Sequence, residues 1–216
     1  MIGLAGIQLE KYVFVDLGVV NPELDTLSIA KRIGNPTQIP NLSEVQCLSP
    51  KNKDEFPKNT YSGNFGLENF PLHTDLAHWH IPPRYFLLRC LVPDPTISTL
   101  VLNFENALNG LSPSTISRAL FKPRRKLNNR QFLLRLTEGE LFRWDSLYLV
   151  PENKEAEEAS SRLNALDENQ YQSVKLVERG QTILIDNWKV MHGRSRVAEN
   201  STSRLIERVY LSEINL

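Results

Sequence analysis

The sequence predicts a mainly β fold with flanking helices, of the double-stranded β-helix or jelly-roll kind. Three observations point there. From Tyr61 onward short apolar runs alternate with turn residues. Those runs are rich in β-branched and aromatic residues, which suit a pleated, half-buried surface. Few segments carry a helical pattern, and many short strands with few helices make a sandwich or barrel.

The elements follow in order. Residues 11–17 (KYVFVDL) read as a strand. Residues 24–33 read as a helix, with Asp25 or Thr26 as cap and Gly34-Asn35-Pro36 as its stop. Residues 49–60 (SPKNKDEFPKNT) are polar, carry two prolines, and read as an exposed loop. Strands are expected over residues 85–92 (YFLLRCLV), 99–104, 131–136, 141–149, 173–177, 182–185 and 205–214. Ser112-Pro113-Ser114 opens a helix running to about residue 121, with an N-cap and a proline in the first turn. A further helix covers residues 154–166, where Glu155, Glu157 and Glu158 suit the positive end of the helix dipole.

With 216 residues, 41% of them hydrophobic, the chain can bury one core, and a single domain over residues 1–216 is expected. Lys plus Arg (25) balances Asp plus Glu (25). No net field points to nucleic acid or an anionic membrane. There is no internal repeat or low-complexity linker. Met1-Ile2-Gly3-Leu4 has no basic region ahead of an apolar run, which argues against a secretory signal. The apolar runs fall short of the ~20 residues that span a bilayer. Cys47 and Cys90 form no CxxC motif and read as reduced thiols of a cytoplasmic protein.

Leu72-His73-Thr74-Asp75, answered far downstream by Val190-Met191-His192-Gly193-Arg194, carries the chemistry. Residues i and i+2 of a strand share a face, so His73 and Asp75 aim together, and His192 arrives from another strand. Two histidines and one carboxylate on one side of a metal leave the other side open, the ligand set of non-haem Fe(II) oxygenases. HxD alone is common, and a lone histidine after an apolar strand is usually a packed or surface residue. His78 and His80 are rival ligands for a compact zinc site with His73 and Asp75. Their place beside Trp79, just before Ile81-Pro82-Pro83, favours the surface or a pocket rim. Trp79 and Trp188 read as packing residues. Arg194 and Arg196 read as structural, lining a mouth or pairing with Asp186. Asn64, Glu68, Arg143 and Asp145 could touch a substrate, but a structural role is the simpler reading of each.

Residues 61–92 (YSGNFGLENFPLHTDLAHWHIPPRYFLLRCLV) and 180–211 (GQTILIDNWKVMHGRSRVAENSTSRLIERVYL) resemble the two metal-binding segments of the Fe(II)/2-oxoglutarate-dependent dioxygenases of the taurine dioxygenase and clavaminate synthase type. HTD, the PPRY turn, DNWKVMHGR and RLIERVYL carry the resemblance. It runs from about Asp25 to the end, loosely over residues 105–175. It implies that His73, Asp75 and His192 bind Fe(II). Thr99 would contact 2-oxoglutarate, with Thr96 as its rival because the family's Gly-Gly before this threonine is missing. Arg204 matches the arginine that clamps the distal carboxylate of 2-oxoglutarate. Arg208 matches a second arginine that meets an anionic group of the primary substrate. Their spacing of four leaves open whether one or both face the cavity; in a strand both do. The planar fork of arginine suits a carboxylate in a poorly solvated pocket, while an ion pair with Glu199 or Glu207 is the plainer alternative.

The implied reaction consumes 2-oxoglutarate and O₂, releases succinate and CO₂, and hydroxylates a substrate, or desaturates or cyclises it. Halogenases of this kind lack the carboxylate ligand, so Asp75 argues against halogenation. The implied substrate is a small polar molecule, an amino acid or an amino-acid-derived intermediate of a specialised pathway. The chain is short for this group, which suggests a reduced lid, a larger or carrier-bound substrate, or a lid from a second subunit of an oligomer. Two other classes stay open: a cupin-like metal enzyme that ignores 2-oxoglutarate, for which Arg204 is dispensable, and a non-catalytic member of the fold.

Overall fold

The computed structural model describes residues 14–126 and 129–215. Residues 11–13 of the expected first strand, and Met1 to Leu4, lie outside the described residues. In chain order the early strands are β1 (Phe14–Val19), β2 (Gly34–Pro36), β3 (Gln46–Leu48), β4 (Phe70–His73), β5 (Tyr85–Val92) and β6 (Ser98–Asn103). Short strands follow: β7 (Leu120–Pro123), β8 (Leu134–Arg135), β9 (Thr137–Glu138), β10 (Leu141–Phe142) and β11 (Leu149–Pro151). The chain ends with β12 (Gln172–Lys175), β13 (Gln181–Asp186), β14 (Val190–Arg194) and β15 (Leu205–Ile214). The helices are α1 (Thr26–Ile33), α2 (Tyr61–Phe65), α3 (Phe104–Ala107), α4 (Pro113–Arg118) and α5 (Lys154–Asn164).

The strands are paired antiparallel throughout the larger sheets. One sheet runs β1-β13-β5-β15-β2, with β3 also on β15, and a second runs β12-β6-β14-β4. Neighbours in these sheets are far apart in sequence, so strands from both ends of the chain meet. Alternation sets what each face does. Phe86 and Leu88 of β5, Ile183 and Ile185 of β13, and Ile206 and Tyr210 of β15 share one buried cluster with Val101 of β6 and Val190 of β14. The two sheets therefore enclose a common apolar core. The opposite face of the larger sheet, with Leu87, Leu184, Val209 and Leu211, is covered by Ile29, Ala30 and Ile33 of α1. Each of these valine, leucine and isoleucine side chains, fully buried, stabilises the fold by about 1.5–3 kcal/mol. Asp25 starts α1 by accepting the Ser28 N–H, while Thr26 is the first helical residue. The outer face of the four-stranded sheet, with Leu72, Leu102 and Met191, packs on the insert between β6 and β12, through Phe121, Phe142, Trp144 and Leu163.

The insert is where local expectation and structure differ most. The helix opened by Ser112 stops at Arg118, because residues 120–123 form β7, which pairs with β11 and β8. Of residues 131–136 only Leu134 and Arg135 form a strand. The expected strand over residues 141–149 breaks after Phe142. Asp145 accepts the N–H groups of Leu147 and Tyr148 and folds the chain into a turn, a competition with strand pairing that aspartate favours. Among the described residues no helix is long and apolar enough to cross a membrane.

Candidate metal centre

His73 is the last residue of β4 and stands directly opposite His192 of β14. Cross-strand partners share a face, so both imidazoles point into the space between the sheets. Gly193 makes this close approach possible: a Cβ there would lie 2.5 Å from the Phe70 carbonyl oxygen. Asp75 reaches the same place without being in the strand. Its N–H donates to Asn187 Oδ1 at 2.7 Å, and Asn187 Nδ2 donates to the carbonyls of Asp75 and Pro83 at 3.0 Å. Thr74 N–H donates to the Trp144 carbonyl at 2.7 Å. Leu76, at φ 55°, then turns the chain away.

The result is a compact triad. Asp75 Oδ1 lies 3.7 Å from His73 Nε2 and 3.6 Å from His192 Nε2. One ligand atom from each of the three residues lies within 4.8 Å of the others, and all three residues are buried. His73 Nδ1 is 2.9 Å from the Pro71 carbonyl oxygen, an acceptor only. The ring proton therefore sits on Nδ1 and the Nε2 lone pair faces Asp75. Tyr61 stacks on His73 with ring centroids 4.0 Å apart, and Phe86 packs on His192 at 4.8 Å.

Charge completes the case for a cation. Burial would raise the Asp75 carboxyl, but Arg208 and the two imidazoles hold it well below the usual range. Burial pushes His192 down, keeping its lone pair free near neutral pH. Burial also acts against protonation of His73, but the nearby carboxylates of Asp75 and Asp145 favour the imidazolium, outweigh it and raise its pKa. Two imidazole nitrogens and one anionic oxygen converging in a water-poor site are the donors that a divalent first-row metal such as Fe(II) takes.

The triad opens into a cavity of about 550 Å³ that also reaches Thr99, Arg204 and Arg208. Arg204, just before β15, and Ile206, Arg208 and Tyr210 within it all line this cavity, so both arginines face inward. Neither pairs with Glu199 or Glu207 among the described residues. Arg204 is 3% exposed. Its Nη2 donates to Thr99 Oγ1 at 3.3 Å and its Nε has no partner. Thr96 is exposed and donates its hydroxyl to Asp94 at 2.6 Å, so it does not share this pocket. Arg208 Nη1 donates to Asp75 Oδ2 at 2.6 Å, and Nη2 to Gln46 Oε1 at 2.7 Å.

Other sequence candidates separate clearly. His78 lines the cavity and packs on Tyr148 at 5.0 Å, whereas His80 is exposed; neither joins the triad. Arg143 is fully buried and donates to the carbonyls of Ala77, Trp79 and His80, which fixes the loop after Asp75. Asn64 bonds within its own loop, to the carbonyls of Lys58 and Thr60. Glu68 pairs with Arg196 at the surface. Trp188 donates its indole N–H to the Pro82 carbonyl at 3.0 Å. Asp186 pairs with Arg84, not with Arg194 or Arg196. Cys47 and Cys90 are free thiols. Arg194, read as structural, lines the cavity as well. Its guanidinium lies 3.8 Å over the Phe70 ring and donates to the Gly66 and Glu68 carbonyls. The available signal was its i+2 relation to His192.

Asp145 also lines the cavity, and burial pushes its carboxyl up to about 6 despite the nearby His73 and the N–H groups it accepts. A carboxyl raised above its unfolded value of 3.8 binds protons more tightly when folded. Stability therefore falls as pH rises from about 4 to about 6 and stays lower above that. Asp145→Asn keeps the acceptor oxygen and removes this penalty. The metal-free variant is expected to gain about 2–3 kcal/mol at pH 8 and nothing at pH 3.5, checked by urea unfolding at the two pH values.

No protein-family model and no curated protein sequence matches the chain. Solved structures do. The fold is that of non-haem iron oxygenases. Asparagine oxygenase, solved with Fe(II), (2S,3S)-3-hydroxyasparagine and succinate, superposes with a TM-score of 0.65 at 21% identity, over 89% of this chain and 68% of that one. The non-haem iron oxygenase OrfP, with Fe, succinate and (3S)-hydroxy-L-Arg, gives 0.60 at 20% identity, over 78% of this chain and 56% of that one. PvcB of Pseudomonas aeruginosa gives 0.67 at 16% identity, over 94% and 77%. The chain is thus shorter than these oxygenases and spans little more than half of OrfP.

Proposed function

We propose that the chain is an Fe(II)- and 2-oxoglutarate-dependent oxygenase of the taurine dioxygenase and clavaminate synthase type, built on a double-stranded β-helix. In this reading it hydroxylates a C–H bond of an amino acid or amino-acid-derived molecule. One observation carries the reading. The His73–Asp75–His192 triad and a buried arginine with unfilled hydrogen-bonding capacity, Arg204, open onto the same cavity. That is the pair of anchors a dicarboxylate cosubstrate needs.

The residues divide the work. His73, Asp75 and His192 hold Fe(II) from one side. Iron, when bound, couples reduction of O₂ and decarboxylation of 2-oxoglutarate to oxidation of the substrate. Arg204 and Thr99 hold the distal carboxylate. Remaining N–H groups of Arg208 meet an anionic group of the substrate, and Asp145, ionised above about pH 6, offers a partner for an amino group. Phe86, Leu88 and Ile206 exclude water from the inner wall. Asparagine oxygenase and OrfP, each solved with a hydroxylated amino acid, support an amino acid as substrate.

The test is an anaerobic visible spectrum of the metal-free protein given Fe(II) and then 2-oxoglutarate. A new charge-transfer band, absent in Asp75→Ala, is expected. Bound iron with no band would remove 2-oxoglutarate from the reaction.

A further inference from the structure

We infer that Arg208 works on the metal centre before any substrate arrives: it engages one oxygen of Asp75 and so restricts that residue to a single metal-binding oxygen. This rests on the oxygenase reading above. The two carboxylate oxygens of Asp75 face different partners. Oδ1 faces both imidazoles, at 3.7 and 3.6 Å, while Oδ2 takes a charge-assisted hydrogen bond from Arg208 Nη1 at 2.6 Å.

Both ends of the pair are held. Asp75 is fixed at its N–H and its carbonyl by Asn187. Arg208 lies opposite Gln46 across β15 and β3, donates to its side chain at 2.7 Å, and places its guanidinium 4.9 Å from the centroid of the Tyr210 ring. Carboxylates bind metals through one oxygen or two. On a six-coordinate Fe(II), two imidazoles and one oxygen leave three positions, the number that a chelating 2-oxo acid and O₂ require. A released Oδ2 would take one of them. In this role Arg208 is a positioning residue that acts through Asp75.

The experiment uses Arg208→Met and Arg208→Lys with no primary substrate present. Each protein is titrated anaerobically with Fe(II) and then with 2-oxoglutarate, by calorimetry and by the charge-transfer band. Lysine keeps the charge, but its single ammonium does not reproduce the fixed fork that spans Asp75 and Gln46. Tighter Fe(II) binding in both variants is expected, because Asp75 gains a second donor. A 2-oxoglutarate Kd raised at least about tenfold is expected in both, the scale of outer-sphere effects at metal sites.

Unchanged constants would overturn the inference and leave Arg208 to the substrate. Weakening of both constants would overturn it in favour of general damage to the site. A change in the methionine variant alone would assign the effect to the field of the charge, not to its grip on Asp75. If the unmodified protein binds Fe(II) but not 2-oxoglutarate, the oxygenase reading fails and the metal titration alone decides: tighter binding in both variants supports the restraint, and equal or weaker binding refutes it. An unmodified protein that binds no metal refutes both.

Discussion

His192→Ala is expected to give a folded protein that holds Fe(II) about a hundredfold more weakly and has no turnover. Among the described residues, His192 is one of three converging donors. If a site of this kind binds its metal with about 10 kcal/mol, one ligand in three accounts for about 3 kcal/mol, which is about two orders of magnitude in Kd. The imidazole packs on Phe86 and His73, so alanine leaves a small cavity. It also removes a buried group whose Nδ1 has no partner, and the two effects oppose each other. The metal-free variant should therefore melt within a few degrees of the unmodified protein. Fe(II) at about a hundred times its Kd adds about 2.7 kcal/mol to a protein that binds it. Thermal melts with and without Fe(II) read this out: the unmodified protein shifts upward by the full amount and the variant, gaining only about 0.4 kcal/mol at the same Fe(II) concentration, barely moves. A variant that still shifts by the full amount would remove His192 from the ligand set.

The parts of this site that were legible in the sequence are those set by alternation along one strand. His192 points inward because its neighbours Val190 and Arg194 do, and Arg204 and Arg208 share a face because both lie at even spacing along β15 and the segment leading into it. What was not legible rests on distant contacts. Asp75 aims at the triad through Asn187 and Trp144, not through strand geometry. The partner of Arg208 turned out to be Asp75, 133 residues away, where a sequence neighbour such as Glu207 was the nearest alternative. Glu207 is on the opposite side of the strand and accepts a hydrogen bond from Thr26. In the insert, side-chain chemistry overrode pattern: residues 141–149 are rich in strand formers, with polar residues alternating as far as Asp145, but the carboxylate of Asp145 supplies acceptors that make a turn locally cheaper than a ladder. Arg143 looked like a candidate for substrate contact because it alternates with Asp145. Instead it anchors three carbonyls of the loop that follows the triad.

Arg204→Met tests the other anchor, and its two effects should have opposite signs. Arg204 is almost wholly buried, holds one hydrogen bond to Thr99, and keeps Nε unpartnered. Burial lowers its pKa, and the nearby Cys90 and Asp94 only partly offset that. A guanidinium in this position destabilises the empty fold, because a buried charge is tolerated only when paired. Methionine fills similar space without charge, so the variant is expected to be more stable by about 1 kcal/mol or more. The cosubstrate is affected in the other direction. A carboxylate held by two charge-assisted bonds, each contributing about 1.5 kcal/mol or more, loses about 3 kcal/mol, or about a hundredfold in Kd. Fe(II) affinity should stay within about twofold, since Arg204 is outside the triad. Urea unfolding and 2-oxoglutarate titration of the Fe(II)-loaded protein separate the alternatives. Higher stability with weaker 2-oxoglutarate binding marks an arginine kept for a ligand. Lower stability with unchanged binding marks an arginine kept for the fold, and would turn the reading toward a metal enzyme that does not use 2-oxoglutarate.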